Sequence, residues 1–170
     1  MTTVQHISEL ATAVMPGVLS DIAALYPTAS VVQWAVSSRE STRYGSPPRV
    51  VWVPSRDGFD GPQKTPRGGQ DGQHSIATRV AGVRIELWGE TPDQTEDLIE
   101  SVVRALLKGG GPSRVGVTIA SGQWIEAPGE NALGEGYALA ITLPVDIRAS
   151  RTADTRVAVT GQLGALTITT

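Results

Sequence analysis

The sequence predicts an α+β fold, a mixed, largely antiparallel sheet with helices packed on it. Three observations point there. Residues 78–88 alternate apolar with polar or small side chains and run directly into a capped helix. Residues 3–26 repeat apolar side chains every three or four positions, as a helix lying on a sheet does. Residues 115–148 return to a period of two, the mark of strands with one face on a core. At 170 residues one domain is the default, and the chain is long enough to bury a real core.

In the first helical stretch Ile7, Leu10, Val14, Val18, Leu19, Ile22 and Leu25 form the stripe. Pro16-Gly17 interrupts it, which predicts a kink or two short helices, with Ser20 or Asp21 helping to restart the second. Tyr26-Pro27 ends it. Residues 29–36, with Val31, Val32, Trp34 and Val36, fit a strand or a helical turn, and the run is too short to arbitrate. Residues 37–48 are polar and read as loop. Arg49-Val50-Val51-Trp52-Val53-Pro54 is a short strand, apolar on both faces, placed inside the sheet or under another subunit.

Residues 55–77 hold seven Gly or Pro residues and almost nothing apolar except Phe59 and Ile76. A structureless loop longer than ~15 residues is usually functional or disordered. Arg56, Lys64 and Arg67 are cancelled by Asp57, Asp60 and Asp71. Too little apolar surface is present to offset ordering entropy, so a partner or neighbouring subunit is needed to order the segment.

In the central unit Ala81, Val83, Ile85 and Leu87 are apolar, with Gly82, Arg84, Glu86 and Trp88 between them. Thr91 fits the N-cap, Pro92 the first helical position and Gln94 the capping box. Asp93, Glu96 and Asp97 put negative charge where the helix dipole favours it. Leu98, Ile99, Val102, Val103 and Leu106 form one stripe, Glu100 and Arg104 can pair on the wet side, and Lys108 with Gly109-Gly110-Gly111-Pro112 stops the helix. Further on, Val115, Val117 and Ile119 alternate, and Ser121-Gly122 suggests a bulge or bend before Trp124-Ile125. Residues 127–136 read as a hairpin loop. Tyr137 to Arg148 is the longest alternating run, with Pro144 requiring an edge or a bend.

Residues 1–148 therefore read as one α+β domain and residues 149–170 as a C-terminal β arm. In the arm Val157 and Val159, then Leu166 and Ile168, alternate with small and polar residues. The arm either closes the sheet of its own subunit or adds a strand to the edge of another chain.

Little here suggests chemistry. Net charge is −3, with no basic run, so no specific nucleic acid is expected. With no cysteine, disulfides and thiolate metal sites are excluded. The two histidines, His6 and His74, have no ligand-spaced companion. Asp57-Gly58-Phe59-Asp60-Gly61 lacks the spaced ligands and terminal glutamate of a calcium loop. The three glycines at 109–111 follow a helix and lack the lysine and hydroxyl of a phosphate loop. Ser121 has no elbow motif and no following histidine, and Glu126 with Glu130 flank a proline turn. The expectation is no enzyme, no metal and no cofactor. No unbroken apolar run approaches the ~20 residues of a membrane span, and no basic start precedes an apolar block. A soluble cytoplasmic protein with no membrane partner is expected. The four tryptophans each lie in or beside a strand; Trp88, on the polar face with Arg84 and Glu86, fits core packing or a subunit interface.

The order of parts carries a resemblance. Pro48-Arg49-Val50-Val51-Trp52-Val53-Pro54 precedes a long Gly/Pro loop, then comes an alternating strand ending Leu87-Trp88-Gly89, and then a helix with Thr95-Glu96-Asp97-Leu98-Ile99. Gly122-Gln123-Trp124, a Gly-rich hairpin and a strand with Leu143-Pro144-Val145 follow. Over roughly residues 48–147 this resembles the tail terminator, or tail completion, proteins of long-tailed bacteriophages and phage-derived particles. The resemblance implies a ring-forming subunit, a hexamer that caps the finished tail tube, ends its growth and offers a junction to the head or neck. It implies contacts with copies of itself, the tail tube protein and a neck, head-completion or connector protein, and a place in the virion at the tail–neck junction after assembly in the bacterial host cytoplasm. The expected contact residues are Arg56, Phe59, Lys64, Arg67, Arg84, Trp88, Val157, Val159, Leu166 and Ile168. Another neck or connector subunit is one alternative; a small ligand- or carbohydrate-binding β-rich module using its tryptophans is another.

Overall fold

The computed structural model describes residues 6–28, 31–37, 46–60, 73–108, 116–126 and 135–150. Within them two helices, α1 (Ile7–Leu25) and α2 (Pro92–Leu107), accompany six strands. The strands are β1 (Gln33–Val36), β2 (Arg49–Pro54), β3 (Gly58–Asp60), β4 (Gln73–Gly89), β5 (Thr118–Ile125) and β6 (Glu135–Ser150). The sheet runs β1-β2-β4-β6-β5, with β3 also paired to β4. β1 is parallel to β2, β2 antiparallel to β4, and β5 antiparallel to β6. This is the expected α+β architecture. The chain divides into two compact units: Met1–Gly58 with Val80–Val145, and Phe59–Arg79 with Asp146–Thr170.

In the first unit both helices share a core with one sheet face. From α1 it takes Leu10, Ala11, Val14, Met15, Val18 and Ile22, and from α2 Leu98, Val102 and Leu106. The sheet supplies Val50, Trp52, Val83, Ile85, Leu87, Leu139, Ile141 and Leu143. The other face of β2 and β4 is set by register: Arg49 lies opposite Trp88, Val51 opposite Glu86 and Val53 opposite Arg84. That face is buried too at Val51, Val53, Glu86 and Trp88, which explains why β2 is apolar on both sides.

Several expectations needed correction. Of the two alternatives at Pro16, a kink or two short helices, the second is overturned: α1 is one helix that continues through Pro16. Proline removes the hydrogen bond to the carbonyl of Thr12, but both residues are exposed, so that carbonyl is open to solvent while the opposite stripe holds the helix on the core. Asp21 does not restart a helix. Its carboxylate accepts a hydrogen bond from Ser101 Oγ at 2.9 Å and pairs with Arg104 Nη1 at 3.3 Å, joining α1 to α2. Tyr26 donates its hydroxyl to Asp97 in the same seam. By length and composition α1 is also long and apolar enough to cross a membrane, because alanines fill positions between its larger apolar residues. Residues 58–60 and 73–77, expected as loop, belong to β3 and β4.

The cap of α2 forms as expected. Thr91 Oγ1 accepts from Gln94 N at 3.2 Å, and the Gln94 side chain accepts from Glu90 N at 2.7 Å. Buried Thr95 adds to this, its Oγ1 accepting from Gly89 N at 3.0 Å and donating to Thr91 O at 3.2 Å. Glu100 and Arg104 pair one turn apart, also as expected. β5 shifts register between Ile119 and Ser121, the bulge foreseen there. On the β5 side the β5–β6 ladder has its last pair at Thr118 and Thr142, so Pro144 faces no donor requirement there.

Candidate interaction surface

The expected contact residues fall into three groups. Lys64, Arg67, Val157, Val159, Leu166 and Ile168 lie outside the described residues. Arg56 and Phe59 are exposed, Phe59 by 65%. Arg84 and Trp88 share the sheet face opposite the helices. There Arg84 Nε lies 3.1 Å from Glu86 Oε1, an ion pair reaching from a half-open guanidinium to a carboxylate buried to 3% exposure. A carboxylate that deep is costly without a cation beside it. Trp88 is only 5% exposed, because its ring lies over Gly136; a Cβ at Gly136 would stand 2.5 Å from the ring. The indole is thus held within its own sheet. Beside it, burial pushes the Arg49 guanidinium below its ordinary pKa.

The structure instead draws attention to the two ends of the sheet. Among the described strands β1 ends it on one side and β5 on the other. An end strand presents backbone N–H and C=O groups along its outer side. Trp34 and Val36 on β1 are each more than a third exposed, and Val31 and Leu25 nearby are more open still. On β5, Trp124 is 48% exposed and meets Tyr137 edge-to-face with ring centroids 5.5 Å apart. Trp34 and Val36 stand opposite Val50 and Trp52, and Trp124 stands opposite Tyr137. Those partners belong to or pack against the core under the helices. Both end strands therefore carry an accessible tryptophan on the helix-bearing face. Sequence reading placed these tryptophans in strands, but only pairing order shows which strands are terminal.

Among the described residues no group of three or more His, Asp or Glu side chains lies close enough to hold a metal ion. The surface offers apolar area and strand edges for contact.

No family model and no curated protein matches the chain. Among solved structures it is similar to a chain in the virion of a native gene transfer agent particle, at 20% identity and a TM-score of 0.45, over 82% of this chain and 96% of that one.

Proposed function

We propose that this chain is a structural virion subunit, a tail terminator that caps a phage-type tail tube as a hexameric ring, ends tail growth and provides the junction to the head or neck. The observation that carries the reading is the resemblance over roughly residues 48–147. Its strand, capped helix, bulged strand and long final strand are the parts that build β2, β4, α2, β5 and β6. An open sheet with an accessible tryptophan at each end suits a subunit that repeats around a ring, since head-to-tail rings need two different contact patches on each copy. In this reading the protein works through surfaces offered to copies of itself, to the tube protein and to a neck protein. Arg56, Phe59 and Arg84 are the described contact residues proposed for those partners.

The test is assembly. Purified protein mixed with its tube protein should give rings seated on tube ends by electron microscopy, and particles made without it should carry tails of uncontrolled length. A protein that stays monomeric beside the tube protein, in a system whose tails keep their normal length without it, would overturn the reading.

A further inference from the structure

We propose that the C-terminal segment 157–169 of one copy adds as a strand along the outer edge of β5 in a neighbouring copy. This rests on the reading of the protein as a repeating subunit and names the contact that would link the copies.

Among the described strands β5 is terminal in the sheet, and six of its eight residues are exposed. Its sequence, Thr-Ile-Ala-Ser-Gly-Gln-Trp-Ile, contains no charge and no proline. Natural edge strands usually carry such residues to prevent pairing with other chains. The single protective feature is the bulge between Ile119 and Ser121; from Ser121 to Ile125 the register is regular. That leaves a five-residue neutral edge beside a half-open indole.

The chain continues for twenty residues beyond Ser150. Its charges stop at Arg156: residues 157–170 contain neither a charged residue nor a proline. Within them Val157-Ala158-Val159-Thr160 and Leu166-Thr167-Ile168-Thr169 each alternate large apolar with small or polar side chains. Each four-residue run is as neutral as the five-residue regular part of β5 and short enough to pair within it. The preceding six residues, 151–156, are mostly polar and can span up to ~21 Å when extended, a length of chain available as a connector. Strand addition satisfies the outward backbone groups of β5 and sets Val157 and Val159, or Leu166 and Ile168, against Trp124.

The absence of cysteine makes the test clean. Two differently tagged preparations are mixed, one carrying Gln123→Cys and the other Ala158→Cys or Thr167→Cys, and treated with a short bis-maleimide. The expected product is a heterodimer joining the two tags, reduced at least tenfold by adding Trp124→Lys to the first preparation. The amides of residues 121–125 should exchange at least tenfold more slowly in the full chain than in one ending at Ser150, in a concentration-dependent way. A double variant that links only within a single chain would show the arm closing its own subunit and overturn the proposal. So would the absence of any link together with unchanged exchange. Rings that still cap tubes without the heterodimer would refute the strand addition alone. A heterodimer in a protein that never engages tubes would refute the tail-terminator reading alone.

Discussion

Replacing Gly82 with alanine should destabilise the fold by about 2–5 kcal/mol, because the chain just past β2 passes directly over this position. A Cβ at Gly82 would lie 2.3 Å from the carbonyl oxygen of Arg56 and 3.2 Å from its carbonyl carbon, and real Cβ contacts essentially never fall under 3.0 Å. Both sides of the clash are backbone, so no flexible side chain can swing away. Relief means moving the two segments apart. That strains the hydrogen bonds from Ser55 N to Gly82 O (2.8 Å) and from Gly82 N to Asp57 Oδ1 (3.3 Å). Overpacking costs about 1–3 kcal/mol and each weakened hydrogen bond about 1 kcal/mol. Gly58→Ala is the matched control: its Cβ would meet Val80 Cβ at 3.8 Å, an ordinary contact. Urea denaturation followed by tryptophan fluorescence reads both. With a slope of about 2 kcal/mol per molar, Gly82→Ala should lower the midpoint by about 1–2.5 M while Gly58→Ala leaves it nearly in place. A Gly82→Ala protein within about 0.5 kcal/mol of the parent, or equal damage from the two substitutions, would refute the reasoning.

Other measurements probe the helices. Thr95→Val keeps the side-chain shape but leaves the buried Gly89 N–H without its acceptor, and should cost about 1–3 kcal/mol in the same assay. Asp21→Ala should cost about 1–2 kcal/mol. Most of this comes from the buried Ser101 hydroxyl, because the Arg104 pair is open to solvent and contributes little. The hydrogen bond to Asp97, followed by burial and by the charges of Asp97 and Asp93, raises the Tyr26 hydroxyl from 10.0 to about 12. The folded state therefore holds this proton more tightly than the unfolded chain, so the contribution is full below pH 10.0 and is lost as pH rises toward about 12. Tyr26→Phe should flatten that part of the stability–pH curve; an unchanged alkaline slope would count against the contact.

Much of the architecture was legible because it rests on local chemistry. Thr91, Pro92 and Gln94 write the start of α2 within four residues, and alternation through Leu87 writes β4. What escaped depends on partners distant in sequence. The role of Asp21 is set by Ser101 and Arg104, eighty residues away and more, which no local pattern records. Residues 73–77 join a strand because of pairing, not because their own polar sequence favours one. Pro16 does not split the helix because its effect depends on which side of the helix faces water. Alternation placed Trp88 with charged residues and left core packing and a subunit interface both open; its burial within the chain comes from the second buried sheet face, which no local pattern records. The open tryptophans at the two sheet ends were missed as a pair, since terminal position is a property of topology.

The Asp21–Ser101 bond also bears on how the protein is made. α1 leaves the ribosome well before α2, and although Val50 and Trp52 of β2 follow sooner, the residues that bind its polar side and complete the cover of its apolar stripe come about eighty positions later. At about 5–20 residues per second, the nascent helix waits several seconds with the stripe of Leu10, Val14, Met15, Val18 and Ile22 incompletely covered. During that interval the apolar stripe of a helix long enough and apolar enough to cross a membrane is open to chaperones and membrane-targeting factors until α2 closes over it.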